Sequence, residues 1–303
     1  MSDFLEVDDL TPAEFAEVLA RAAAWKRDAT ALPRLLDGQG VALLFEKPSA
    51  RTRTSSEMAV VGLGGHPIYI RPEEVGLGVR ETVEDVARTL AAYCTVVAAR
   101  VFDHGTLEDM AGAIDVPVVN LLSDQAHPCQ ALADYLTLQE ALGSLEGRRL
   151  VFVGDGNNVA ASLACGAALS GVELMVASPP GYELDDDVVE RSRNLGGAVE
   201  VTNDPFEAVK GADALYADVW TSMGQEEEQE ARLAAFAGFQ VDSELMGAAG
   251  DQAKFLHCLP AHRGVEVAAE VIDGPASLVW QQAANRMDAM RALLSLLVEG
   301  HDR

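Results

Sequence analysis

Residues 149–178, RLVFVGDGNNVAASLACGAALSGVELMVAS, read as strand, loop, helix and strand in succession. RLVFV is a short apolar run rich in branched and aromatic side chains, the composition of a strand buried on both faces. GDGNN interrupts it with glycines and turn-forming polar residues. The Ala- and Leu-rich stretch that follows predicts a helix over Asn158–Leu169, stopped before Gly171, and VELMVAS at 172–178 supplies a second apolar strand. Two strands joined by a crossover helix run parallel, with helices covering the sheet on both faces.

The same alternation extends in both directions. Upstream lie VALLF at 41–45, IYI at 68–70, TVVAAR at 95–100 and VPVVNLL at 116–122; downstream lie ALYAD at 214–218, KFLHCLP at 254–260 and SLVW at 277–280. Between them, helical periodicity and capping signals predict helices over Pro12–Arg27 behind an N-cap at Thr11, and over Ser49–Val61, Thr82–Tyr93, Pro128–Leu142, Asp185–Leu195 and Gln281–Val298. A chain of 303 residues exceeds the ~100–150 of a common single domain, so two are expected. GSLEGRR at 143–149 is the best linker, dividing a first domain over 1–145 from a second over 146–280. The expected fold is α/β: two doubly wound domains with mainly parallel sheets and a cleft between them.

In such sheets ligands bind beyond the carboxyl ends of the strands, which directs attention to the residues just after each apolar run. EKPSARTRTS at 46–55 places Ser49 at a helix start with Arg51 and Arg53 beside it, an anion site by its backbone donors and forked cations, or else an ordinary Ser-capped helix. HPCQ at 127–130 opens another helix, with Pro128 at its first position, so that His127 and Gln130 share a locale; a histidine satisfied at a helix start is the plainer account. GDGNNV has Val159 where a dinucleotide fingerprint needs its third glycine. Its asparagines suit a carboxylate ligand or simply the turn. Asp218 ends a strand before a small Gly-containing loop, where it could pair with an ammonium group or serve as a surface residue. HCLPAHRG at 257–264 contains Cys258, to which no covalent role is assigned, and Leu259-Pro260, a candidate cis peptide.

Taken in order, EKPSARTR, HPCQ, GDGNN, DVWTSMG at 218–224, HCLP and the late NRM at 285–287 resemble the ornithine carbamoyltransferases along nearly the whole chain. The resemblance implies an enzyme of arginine metabolism that joins carbamoyl phosphate and L-ornithine into L-citrulline and phosphate, or runs the reverse, with no metal or other cofactor. It implies that Ser49, Ala50, Arg51 and Thr52 bind the phosphate together with Arg100. His127 and Arg100 would polarise the carbonyl, Gln130 would orient the carbamoyl amide, and Cys258, the Leu259 carbonyl and Arg286 would complete the pocket. Arg51, Arg100, His127, Gln130 and Cys258 form the implied catalytic set. Asn158, Asp218, Ser222 and Met223 would hold ornithine. The family is trimeric or built from trimers, and its terminal helix, 281–303 in this chain, packs back on the first domain. Three positions depart from the family pattern: Ala50 replaces a common Thr, Gly76 stands where a Gln or His often reaches a neighbouring site, and Ala284 replaces a Glu. A carbamoyltransferase for another amine, such as putrescine or an acylated ornithine, is the nearest alternative. A nonenzymatic phosphate- or nucleotide-binding module is the alternative from another class.

Composition bounds the partners. Hydrophobic residues make up 49% of the chain, enough for substantial cores, while 48 acidic against 22 basic residues give a formal charge of −26. That charge opposes binding to nucleic acid or to anionic membranes. No apolar run approaches the ~20 residues of a membrane span. The N-terminal MSDFLEVDDL lacks the basic and apolar regions of a secretory signal. Cys94, Cys129, Cys165 and Cys258 form no C-x-x-C pair, so a reducing cytoplasm is the expected compartment. EEEQE at 226–230 reads as the first turn of a solvated helix. An excess of acidic groups strains a compact fold until salt screens it, which suits a salty interior. Thermal unfolding in dilute buffer and in molar KCl checks that expectation: the midpoint should rise with salt, and a salt-independent midpoint would contradict it.

Overall fold

The computed structural model describes residues 3–221 and 228–301. It divides into two compact units, residues 1–136 with 284–303, and residues 137–283.

The first unit opens with α1 (Pro12–Arg27), whose start shows why the sequence commits there. Thr11 Oγ1 accepts from the Glu14 amide at 3.2 Å, and Glu14 Oε2 accepts from the Thr11 amide at 2.9 Å, so two donors at the helix end are satisfied reciprocally. There follow β1 (Gly40–Phe45), α2 (Ala50–Gly62), β2 (His66–Ile70), the single turn α3 (Pro72–Val75), α4 (Val83–Ala91), β3 (Val96–Arg100), α5 (Gly105–Ala113) and β4 (Val118–Leu122). Then comes α6 (Pro128–Leu142), which continues into the second unit. The strands form a parallel sheet in the order β2-β1-β3-β4. All five residues of β3 are buried, whereas β2 alternates and forms an edge, as two-faced and one-faced burial require. Ala42, Leu44, Val97, Ala99, Leu107 and Met110 pack in the core.

The second unit continues with β5 (Arg149–Val153), α7 (Asn158–Ser170), β6 (Glu173–Ala177), α8 (Asp186–Asn194), β7 (Ala198–Thr202), α9 (Pro205–Ala208), β8 (Ala214–Ala217), α10 (Gln229–Ala235), α11 (Ser243–Ala249), β9 (Lys254–His257) and α12 (Ala269–Ile272). The last helix, α13 (Val279–His301), runs back into the first unit from Ala284 onward. The sheet is again parallel, in the order β7-β6-β5-β8-β9. Trp220, Phe236, Phe239 and Phe255 anchor one of its cores, with the Trp220 and Phe236 rings stacked at 5.4 Å.

The expected architecture of parallel α/β units is borne out, and the predicted boundaries of α1 and α6 match the observed ones. SLVW at 277–280 is a correction: Ser277 makes only an isolated bridge to Phe255, and the chain turns helical at Val279. Four apolar residues are too few to separate a strand from the buried start of a helix. Among the elements that escape the sequence reading are β7 and α5. β7 is a short edge strand with exposed Glu200, and α5 carries two glycines that weaken its helical signal until Leu107 and Met110 bury against the sheet. Of EEEQE, residues 226 and 227 lie outside the described residues, and α10 begins at Gln229. Among the described residues no helix is long and apolar enough to cross a membrane.

The loop after β5 is fixed by close packing. Gly156 donates its amide to the Tyr182 carbonyl at 2.9 Å, and a Cβ at this position would lie 2.3 Å from the Leu184 nitrogen. Gly156→Ala therefore has to displace backbone, and we expect it to lower unfolding free energy by ~1–3 kcal/mol in urea denaturation.

Candidate active site

In a doubly wound sheet the crevice opens where successive connections leave in opposite directions. In the first unit that point lies between β1 and β3, since β1 leads to β2 on one side and β3 to β4 on the other. The register pairs Phe45 with Arg100, so the strand end leading to Ser49 and the strand end bearing Arg100 are neighbours. Ser49 is the N-cap of α2: its Oγ accepts from the Thr52 amide at 3.3 Å and donates to Thr52 Oγ1 at 3.1 Å. Ala50 is the first helical residue, so whatever binds there meets its backbone and not its methyl group.

Arg286, on α13, closes this group from below. Its Nη1 donates to Gln130 Oε1 at 2.7 Å and its Nη2 to Thr52 Oγ1 at 2.8 Å. One buried guanidinium thus joins the starts of α2 and α6. Its neighbour Asn285 accepts from Lys26 Nζ at 2.6 Å, while Ala284 is exposed, so the missing Glu at that position takes nothing from the fork that holds Arg286. His127 is buried at the entrance to α6. Burial, and then the positive charges of Arg286, Arg100 and Arg51, hold its pKa well below 6.5, so the imidazole is neutral at physiological pH. Burial pushes the Cys129 thiol up to about 12, which leaves it inert. Arg53 goes elsewhere: its Nε donates to Glu57 at 2.8 Å and its guanidinium lies over the Tyr69 ring. Gly76 closes α3 in the left-handed conformation at φ 59°, where a longer side chain would be strained.

In the second unit the switch point lies between β5 and β8. It carries GDGNN on one strand end and Asp218 on the other. Asn157 caps α7, its Oδ1 accepting from the Val159 and Ala160 amides, while its Nδ2 donates to Asp218 Oδ2 at 2.9 Å. Asp218 Oδ1 accepts from the Cys258 thiol at 2.9 Å and from the Val219 amide at 2.8 Å. Three distant motifs therefore meet at one carboxylate. Asn158 is the first residue of α7; Ser222 and Met223 lie outside the described residues. Leu259-Pro260 is cis, and Leu259 has φ 61°. The Leu259 amide donates to His257 Nδ1 at 2.9 Å, which places the ring proton on Nε2, facing Glu266 Oε1 at 3.3 Å.

Asp218, His257 and Cys258 bring a carboxylate oxygen, an imidazole nitrogen and a sulfur within 4.8 Å of one another, a donor set that suits a soft cation. Both ring nitrogens of His257 already face partners, so a metal would have to displace one. The dinucleotide reading of GDGNN fares worse, because the Glu183–Leu184 backbone packs where an added group on Gly156 would go.

Sequence reasoning passes over Asp134 and Arg232, and it offers Asn157 as a carboxylate ligand or a turn former without naming Asp218 as its partner. Asp134 follows Gln130 by four residues, the spacing of side-chain neighbours on a helix, and accepts from Gln130 Nε2 at 2.7 Å. Arg232 left no local signal: its Nη1 reaches Asp155 Oδ2 at 2.9 Å and the Trp220 carbonyl at 3.1 Å, and its Nε reaches Glu228 at 3.1 Å.

Two doubly wound units, one gathering arginines and a neutral imidazole about a helix start and the other a carboxylate, a thiol and an amide, describe a group-transfer enzyme with an anionic donor. The chain belongs to the aspartate/ornithine carbamoyltransferase family. Residues 2–140 match the family's carbamoyl-P binding domain and residues 146–297 its Asp/Orn binding domain. It is 51% identical over 300 residues to the ornithine carbamoyltransferase of Acidothermus cellulolyticus, covering 98% of this chain and 96% of that one. The structure of the Pyrococcus furiosus ornithine carbamoyltransferase superposes with a TM-score of 0.94 at 46% identity, covering 99% and 97% of the two chains. That of the Thermus thermophilus enzyme gives 0.90 at 47% identity, covering 98% of each.

Burial raises the pKa of Asp155, and Arg232 opposes the rise. Arg232→Met leaves this carboxylate buried and unpaired, and is expected to cost ~3–5 kcal/mol in chemical denaturation. Adding Asp155→Asn should recover much of the loss; equal losses in the single and double variants would contradict the pairing.

Proposed function

We propose that this protein transfers the carbamoyl group of carbamoyl phosphate to the δ-amine of L-ornithine, giving L-citrulline and phosphate, and that the same site supports the reverse reaction. The observation that carries the reading is that Arg286 joins Thr52 and Gln130 at the starts of α2 and α6, with Arg100 on the strand end beside the one leading to Ser49 and the charges of Arg286, Arg100 and Arg51 helping burial to keep His127 neutral. Such a cationic group suits a small dianion whose carbonyl must be polarised.

The phosphate lies at the start of α2, held by Ser49, the Ala50 amide, Arg51 and Thr52, with Arg100 beside it. His127 and Arg100 donate to the carbonyl oxygen; a neutral imidazole serves as a donor here without adding to the crowded positive charge. Gln130 orients the carbamoyl NH2, and Arg286, Cys258 and the Leu259 carbonyl complete the surroundings. Asp218 takes an ammonium group of ornithine, together with Asn158, Ser222 and Met223. The unprotonated δ-nitrogen forms a bond to the carbonyl carbon, the oxyanion forms against its donors, and collapse breaks the bond to phosphate. The proton lost by the nitrogen leaves with the phosphate. Charge stabilisation and proximity supply the acceleration, and no step of this sequence calls on a metal.

Met58, Val61 and Tyr93 of the first unit are exposed apolar side chains, and packing against further copies in a homotrimer or an assembly of trimers would take such side chains out of water. No disulfide joins the four cysteines, which fits a cytoplasmic setting.

Citrulline release is to be measured with ornithine, putrescine, acetylornithine and aspartate in dilute buffer and in molar KCl. Turnover is expected with ornithine alone; turnover with another amine would overturn the reading of Asp218, and none with any amine would leave only an anion-binding module. Arg51→Met should lower kcat/KM by ~100–1000-fold. The rate should rise between about pH 6 and 9 as the free amine becomes available, and a flat profile would contradict attack by a neutral nitrogen.

A further inference from the structure

The first half of α6 is buried among apolar side chains, yet Gln130 and Asp134 are 1% and 0% exposed. With His127 just ahead of the helix they recur at steps of three and four, which places them on one face. A carboxylate out of water is costly unless hydrogen-bonded, so Asp134 calls for a reason.

Its geometry supplies one. An ionised carboxylate only accepts hydrogen bonds, and Asp134 Oδ1 accepts from Gln130 Nε2 at 2.7 Å. At the other end of the same amide, Gln130 Oε1 accepts from Arg286 Nη1 at 2.7 Å. Reversing the amide would set oxygen against carboxylate and NH2 against guanidinium. Both neighbours thus select one orientation, and Asp134 does so from the side away from Arg286. An amide oxygen has two lone pairs, so Oε1 can serve Arg286 and one further donor.

We propose that Asp134 is a positioning residue that sets donor specificity: by locking the Gln130 amide it presents Oε1 to the NH2 of the carbamoyl group, and so favours a carbamoyl donor over an acyl donor of the same shape. The proposal rests on the carbamoyl-transfer reading and adds to it the residue that fixes the recognising group. Asp134 itself touches no substrate; it acts through Gln130.

Two phosphonates test this as inhibitors competing with carbamoyl phosphate. Phosphonoacetamide and acetonylphosphonate share phosphonate and carbonyl and differ only in NH2 against CH3. The wild-type chain should bind the amide at least about tenfold more tightly. Asp134→Leu should bring that ratio near one while leaving the acetonylphosphonate constant within about twofold, since an acyl donor draws nothing from the orientation of the Gln130 amide. Asp134→Asn keeps the shape and an acceptor but not the charge, and should lower the ratio partway, because neutral acceptors hold about half as strongly. If the Leu variant fails to fold, the Asn variant decides. An unchanged ratio in a folded variant overturns the proposal, as does equal weakening of both inhibitors, which a merely structural role would produce. A wild-type chain that makes citrulline without distinguishing the two phosphonates overturns the proposal alone. One that makes no citrulline fails the underlying reading.

Discussion

A guanidinium cannot be left dry and unsatisfied, and Arg286 is 7% exposed on α13. Its two arms end on Gln130 Oε1 and Thr52 Oγ1, so α13 can dock in only one rotation, with α2 and α6 offering acceptors at the right separation. Both of these acceptors are neutral oxygens, set where the fork of the guanidinium reaches them. The interaction that settles where a helix near the chain terminus lies is thereby the one that keeps positive charge at the start of α2. Packing and electrostatics impose the same arrangement.

The second unit solves a related problem with the opposite sign. Asp218 is buried, and its oxygens are met by an asparagine amide, a thiol and a backbone amide instead of a cation. The buried cation nearby, Arg232, is spent on Asp155. A carboxylate satisfied by neutral donors keeps its charge for a ligand, whereas one paired with arginine does not. The division of labour between two aspartates separated by six elements of the chain follows from which of them the guanidinium reaches.

Much of this was legible in the sequence because parallel sheets enforce it. Long apolar runs, Thr11 before Glu14 and Pro128 at a helix start each carry local physics that tertiary structure left in place, and strand ends point to Ser49, Arg100, Asp218 and Cys258 without further information. What was not legible depended on which side chains the fold brings together. Nothing adjacent to Arg232 announces Asp155, and whether Asn157 or Asn158 caps the helix turns on one residue of register. Asp134 carries no sign of its role in an apolar helix, because its spacing from Gln130 gains meaning only once both are seen to be buried. SLVW fails for a simpler reason, that apolar character alone does not distinguish a strand from a helix start.

The overall charge of −26 stands against the work assigned to the first unit, which is to attract an anion. Distance resolves the conflict. Surface carboxylates act through water and ions, and salt screens them beyond about 10 Å at ~0.1 M. Arg100 and Arg286 are buried and act at contact range in a medium that screens far less. Raising the ionic strength therefore removes the long-range repulsion of the donor while leaving its short-range attraction nearly intact. Salt competes with binding at most anion sites; at one built from buried arginines beneath an acidic surface, the screening of that surface field acts against the competition, so a charge of −26 and capture of an anion are physically compatible.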